Sequence, residues 1–204
     1  MSEINKQEAL EKAIEFEGNE IAKLAKECDF SILETVENEF LHCKGKIILS
    51  GCGTSGEAAK KISHTLNCVK CGAVFLSPSE ALHGGLGIIS DDDIVVLLSK
   101  GGRTIELEEM IPAIKESKSK LVVVSEADNT KLAKSADYLI KLPKVIEADD
   151  YNVLATSSTM FIISIFDAIA IQIGRDKKFS LNSFVTIHPE GAVGKKISEN
   201  MGKK

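Results

Sequence analysis

Two short stretches carry what a protein needs to hold a small anion. The first is Ser50-Gly51-Cys52-Gly53-Thr54-Ser55-Gly56-Glu57, between an apolar run and a helical pattern. Glycines let backbone approach a ligand closely. The hydroxyls of Thr54 and Ser55, together with the free N–H groups of a helix start, can hold an anion. Gly51, Gly53 and Gly56 also meet the G-x-G-x-x-G spacing. A dinucleotide fold would add an acid at the end of the next strand, about 20 residues on. That run ends Phe75-Leu76-Ser77, with no acid before Glu80, so the spacing speaks weakly for a dinucleotide. The second stretch is Ser99-Lys100-Gly101-Gly102-Arg103-Thr104. A phosphate can take its backbone N–H groups, Ser99 and Thr104, with Lys100 or Arg103 adding charge-assisted bonds. Two such loops on adjacent sheet positions point to a small phosphorylated ligand; with no ligand they would be two tight turns.

A third stretch, Thr156-Ser157-Ser158-Thr159, precedes an apolar helical segment. Hydroxyl residues cap helices. Four in a row exceed what a cap uses, so at least one, with Ser157 the candidate, is expected at the ligand.

Proton-transfer candidates are few. Glu147 lies in a loop after the last apolar run, where most acids are solvated. His188 stands before Pro189 in a turn with Gly191 and Gly194, and His83 stands before Gly84 and Gly85. An imidazole titrates near neutrality and suits proton transfer. His42 and His64 fall within helical patterns and are read as structural or surface groups. Bringing Glu147, His83 and His188 together requires a fold. His83 and His188 could hold zinc, with Cys52 near in sequence only, but no ligand spacing demands it; no metal is expected. The five cysteines, an odd number, are read as reduced thiols. The Cys68–Cys71 pair has the C-x-x-C form but lacks two further ligands at matching spacing.

The elements that must position these residues follow from patterning. Apolar runs at 46–50, 72–76, 94–99, 121–125 and 138–142 carry few charges and read as strands buried on both faces. Helical patterns at 55–67, 79–86, 104–118, 129–135 and 157–173 alternate with them. This predicts an α/β three-layer sandwich with a five-stranded parallel sheet flanked by helices. Ligands bind outside the carboxyl ends of such strands, where both glycine loops fall. Residues 1–44 read as an N-terminal helical extension and 45–204 as the ligand-binding domain. A turn at 187–194 leads to a short helix near 195–200.

Composition bounds the function. The chain has 204 residues, 44% hydrophobic and 27% charged, which fits one globular domain with or without a helical appendage. A net charge of −5 argues against a nucleic-acid binder, which carries a basic excess. No uninterrupted apolar run approaches the ~18 to 20 residues of a membrane span, since 160–173 is broken by Ser164, Asp167 and Gln172. The first residues have no signal-peptide apolar core. The expectation is a cytoplasmic protein without a membrane partner.

Four blocks in order carry a resemblance over residues 46–197. They are Gly51 to Ser55; Ser77 to Gly87 with Leu98 to Thr104; Glu147 with Leu154 to Thr159; and His188 to Lys195. Together they resemble the sugar isomerase (SIS) domain family, and within it the arabinose-5-phosphate isomerase type. The resemblance implies phosphosugar binding with Ser55, Ser99 and Thr104 on the phosphate, and no metal or organic cofactor. It also implies a homo-oligomer, dimer or tetramer, in which the His188 block can complete a neighbour's site. Isomerases of this type interconvert an aldose and a ketose phosphate through an enediol. Such chemistry needs a base, a stabilised enediolate oxygen and a remote phosphate anchor. Glu147 and His188 are the expected base and acid, in either order, with His83 orienting a hydroxyl.

The sequence departs from that subgroup at two places. Thr54 stands where the subgroup has Lys, and Gly101-Gly102-Arg103 stands where it has Ser-Gly-Glu. Lys100 is the candidate to replace the lost cation. Members often append paired CBS domains after the His188 block, and the sequence ending at Lys204 is read as lacking them. The other readings are a phosphosugar sensor without catalysis and a different phosphosugar reaction such as deamination or ether cleavage.

Overall fold

The Val- and Ile-rich runs become a sheet because their residues are apolar on both faces. In the computed structural model, which describes residues 5–201, β1 (Ile47–Gly51), β2 (Ala73–Phe75), β3 (Ile94–Leu98), β4 (Lys120–Ser125) and β5 (Tyr138–Lys141) form one five-stranded sheet. Its order is β2-β1-β3-β4-β5 and every pairing is parallel. The expected α/β sandwich is therefore the observed one.

Alternate strand residues feed two cores. Ile47, Leu49, Val96, Leu98, Val122 and Val124 face one side with helices α1 (Lys6–Glu27), α2 (Phe30–Leu41), α3 (Gly53–Cys68) and α7 (Ser157–Asp176). Ile48, Val95, Leu97, Leu121 and Val123 face the other. There they meet α4 (Pro78–Leu82), α5 (Ile105–Ser117) and α6 (Lys131–Ser135). The N-terminal helices join the first core through Leu24, Leu33, Val36 and Phe40. Phe40 stacks on Phe166 of α7 with ring centroids 6.2 Å apart. The expected segments 1–44 and 45–204 include residues 1–4 and 202–204, which lie outside the described residues.

α7 contains the interrupted apolar stretch 160–173. Its 20 residues are long and apolar enough, by length and composition, to cross a membrane. Here it is the central helix of the first core, with Phe161, Ile162, Ile165, Phe166, Ile169 and Ile173 buried. Asp167 interrupts the apolar pattern where it pairs with Lys61 of α3.

Local differences have local causes. The helical pattern expected over 79–86 breaks at Gly84, whose φ of +108° ends α4, and a 3-10 turn Gly85–Ile88 follows. The stretch after Phe179 folds as α8 (Leu181–Ile187), started by Ser180, whose hydroxyl accepts from the Ser183 N–H at 3.2 Å. The last helix, α9 (Ala192–Met201), starts earlier than expected.

Candidate active site

The strand order places the two glycine loops side by side. β1 is flanked by β2 and β3, so the chain reverses direction across the sheet there, and a crevice opens at the carboxyl ends. Gly51 is in register with Leu98. The residues that leave those two positions are the first and second glycine loops.

In the first loop, glycines let α3 start directly on the end of β1. A Cβ on Gly56 would lie 2.7 Å from the Gly51 carbonyl oxygen, and one on Gly51 would lie 2.9 Å from the Ser55 carbonyl carbon. Gly53 has φ +55°, the left-handed region. No side chain caps α3, which leaves its first N–H groups to a ligand or water. Thr54 is exposed and Ser55 half-buried in that first turn.

The second loop is stiffened by its own hydroxyls. Ser99 Oγ and Thr104 Oγ1 are 2.8 Å apart. Gly102 has φ +65°, and a Cβ there would meet Thr130 Oγ1 at 2.7 Å and Ser125 Oγ at 2.8 Å. Gly101 and Arg103 are exposed, and Arg103 has no ion pair among the described residues. Lys100 points away from that exposed rim to a buried acid.

That acid is Glu147, 3% exposed, unlike most acids in such loops. Its Oε1 accepts from Lys100 Nζ at 2.5 Å. Its Oε2 accepts from the Thr156 N–H at 2.9 Å, the Thr156 hydroxyl at 3.2 Å and the Ser158 N–H at 3.1 Å. The carboxylate thus sits on the N-terminus of α7, where the helix dipole also favours a negative charge. Burial alone would raise its pKa. The Lys100 bond, then those from Ser158 and Thr156, outweigh burial and hold the carboxyl down at about 2. The loop between is folded around a second acid: Asp149 accepts from the N–H groups of Tyr151, Val153 and Leu154 at 3.1, 3.0 and 2.8 Å. Ser157 is fully buried beside this arrangement, and its Oγ has no hydrogen-bond partner among the described residues.

Among the described residues no hydrogen bond or ion pair joins His83 or His188 to Glu147. His83 is exposed at the end of α4, on the β2 side of the crevice. His188 lies at the opposite end of α3, its Nε2 3.4 Å from Cys68 Sγ. From Gly53 to Cys68 the helix rises about 22 Å, so His188 is remote from the loops of its own chain.

The sequence reading missed the wall of the crevice beside the first loop. A cavity of about 380 Å³ is bordered by Gly53, Glu57, Lys60, Phe75, Ser77 and Glu106, among others. Lys60 Nζ pairs with Glu57 at 2.8 Å and lies 5.2 Å over the Phe75 ring. The i,i+3 spacing of Glu57 and Lys60 was the available signal. Cys52 also borders it, and burial, helped by the Glu106 charge, raises its thiol pKa, so it is no ready nucleophile.

A five-stranded parallel sheet with two glycine loops at its reversal point defines an α/β domain able to hold a small anion at its strand ends. Residues 40–172 match the SIS domain, and the chain belongs to that family. Among its relatives, arabinose 5-phosphate isomerase KpsF of Escherichia coli is 35% identical over 181 residues, 89% of this chain and 57% of KpsF. The chain spans about half the length of the curated relatives it matches. A candidate sugar-phosphate isomerase of Listeria monocytogenes is 40% identical, with TM-score 0.87 over 91% of this chain and 99% of that one. An Escherichia coli CFT073 protein solved in complex with arabinose 5-phosphate is 26% identical, with TM-score 0.86 over 91% of this chain and all (100%) of that one.

Proposed function

We propose that this chain is a phosphosugar aldose–ketose isomerase of the arabinose-5-phosphate type, acting on ribulose 5-phosphate and arabinose 5-phosphate or a related sugar phosphate. The observation that carries the reading is buried Glu147 paired with half-buried Lys100 beside two anion-ready loops. The names of its relatives support the substrate class. The phosphate is held by Gly53, Thr54 and Ser55 of the first loop and by Ser99, Gly101, Gly102, Arg103 and Thr104 of the second. Remote anchoring of this kind orients the sugar and lowers the barrier at a distance from the reacting carbon.

Lys100 moves from Glu147 to the substrate oxygen that becomes the enediolate. Glu147 Oε1 is then unpaired in a buried site, burial dominates, and its pKa rises toward that of a working base. It removes the proton alpha to the carbonyl. His188 of a second copy supplies the acid and His83 orients a hydroxyl, in a cytoplasmic dimer or tetramer. The test is conversion of ribulose 5-phosphate by the wild type and by Glu147→Gln. Turnover in the wild type and its loss in the variant, with binding retained, support the assignment; full activity of the variant overturns it.

A second reading is a phosphosugar binder without catalysis. It is favoured by Thr54 and Arg103, which replace a Lys and a Glu of the resembled subgroup, and by the low pKa of Glu147 in the unliganded chain. Thermal stabilisation by a sugar phosphate with no product formed would establish it.

A further inference from the structure

The far end of α3 carries a second group of chemistry-bearing side chains that the crevice does not use. His64 and Cys68 stand one turn apart on α3, so their side chains share a face. His188, at the end of α8, reaches over the same face. The nitrogen and sulfur ligand atoms of the three residues all lie within 4.8 Å of one another. Tetrahedral zinc, with bonds of ~2.0 to 2.3 Å to nitrogen and sulfur, sets ligand atoms roughly 3.3 to 3.7 Å apart. The Cys68 Sγ to His188 Nε2 separation of 3.4 Å already has that value. His64 is exposed and its side chain is free to close the remaining gap.

The orientation of His188 is a second, independent observation. Its Nδ1 lies 3.1 Å from the Phe184 carbonyl oxygen. A carbonyl only accepts, so Nδ1 carries the proton and donates it. Nε2 is the ring nitrogen that faces Cys68. A backbone carbonyl that fixes the tautomer of a ring is the usual support for a metal-bound histidine. The ring is also clamped flat on Phe184, with centroids 4.0 Å apart and planes 12° apart. The turn that follows is folded against it: a Cβ on Gly194 would lie 2.1 Å from the His188 carbonyl oxygen. Cys71 is not part of the group, since its sulfur takes the Lys177 ammonium at 3.3 Å.

We propose that His64, Cys68 and His188 form a binding site for a thiophilic divalent metal ion of the zinc class, with a fourth position open to water. Two imidazoles and one thiolate select such an ion over magnesium or calcium, which take oxygen ligands. The bound ion would tie the α8–α9 segment to the end of α3. Binding forms one metal–sulfur and two metal–nitrogen bonds, releases water from the hydrated ion, and displaces the Cys68 proton to solvent. While the ion is bound, His188 cannot act as the acid of the proposed isomerase, so metal and sugar compete for it and the titration is made without sugar.

The test is a titration of the tag-free full chain with Co²⁺ alone, under reducing conditions, followed by absorption spectroscopy. The proposal expects one equivalent bound, a thiolate-to-cobalt charge-transfer band, the visible bands of a tetrahedral ion, and loss of all three on adding Zn²⁺. Cys68→Ser abolishes the charge-transfer band and Cys71→Ser leaves it unchanged. His64→Ala and His188→Ala each weaken Co²⁺ binding by about tenfold or more. Circular dichroism checks that each variant folds; should Cys68→Ser fail to fold, the exposed His64→Ala decides. No saturable binding, a band that survives Cys68→Ser, or affinity unmoved in His64→Ala overturns the proposal.

Discussion

Lys100 Nζ lies 2.5 Å from Glu147 Oε1, across 47 residues of chain, and the acid it meets is 2% exposed at its side chain. The pair joins the second glycine loop to the start of α7. Every oxygen of Glu147 is occupied in the unliganded chain. Oε2 caps the helix, and only Oε1 can be released, by movement of one lysine. In the proposed isomerase, ligand entry and base activation would be coupled through this ion pair.

Replacing Glu147 separates charge from shape. Glu147→Gln keeps an oxygen for the Thr156 and Ser158 donors but removes the charge that pairs with Lys100. The expected outcome is a fall in kcat of about 100-fold or more with sugar-phosphate Kd changed only a few-fold. Steady-state kinetics beside calorimetric binding reads both. Glu147→Ala also strips the helix start and leaves Lys100 unpaired, and should destabilise the fold by about 2 to 4 kcal/mol in urea denaturation.

Acid should erase the contribution of that carboxylate. Its folded pKa of about 2 lies below its ordinary value of 4.5, so the native state releases the proton more readily than the unfolded chain. The stability it contributes, about 3 kcal/mol, is complete above pH ~4.5 and is lost as pH falls toward 2. Urea denaturation of wild type and Glu147→Gln should show a gap that is constant from pH 7 to ~5 and closes between ~4.5 and 2.

Lys100→Met tests the other half of the pair. Without the ammonium, burial raises the Glu147 pKa. The acid limb of the kcat/KM–pH profile, which reports the free enzyme, should move to higher pH, and phosphosugar affinity should fall about tenfold or more. A profile that stays in place would show that Lys100 does not control Glu147.

Gly102→Ala should damage the second loop from the backbone outward. The position has φ +65°, and the added methyl would meet Thr130 and Ser125 hydroxyls at 2.7 and 2.8 Å. A loss of about 1 to 3 kcal/mol follows. A lowered Tm together with weakened sugar-phosphate binding checks it.

Local chemistry explains what the sequence disclosed. The strands at 94–98 and 121–125 are legible because Val and Leu fill both faces, and the two loops because glycines and hydroxyls cluster between a strand and a helix. The α4 region is less so, because the break depends on the backbone angle taken up at Gly84. Glu147 looks like a solvated loop acid until Lys100, Thr156 and Ser158 are brought around it, and no local signal announces that. The placement of His188 has no local signal either: its ring meets Cys68 at the end of α3, a contact across 120 residues.

The most direct measurement is NMR of the chain with ribulose 5-phosphate and with arabinose 5-phosphate in D₂O. An enediol route removes and returns the proton on the carbon next to the carbonyl. The account predicts interconversion of the two sugars, deuterium at that carbon, and loss of both in Glu147→Gln. Tight binding of either sugar with neither conversion nor exchange would contradict it, and would leave the crevice a phosphosugar receptor.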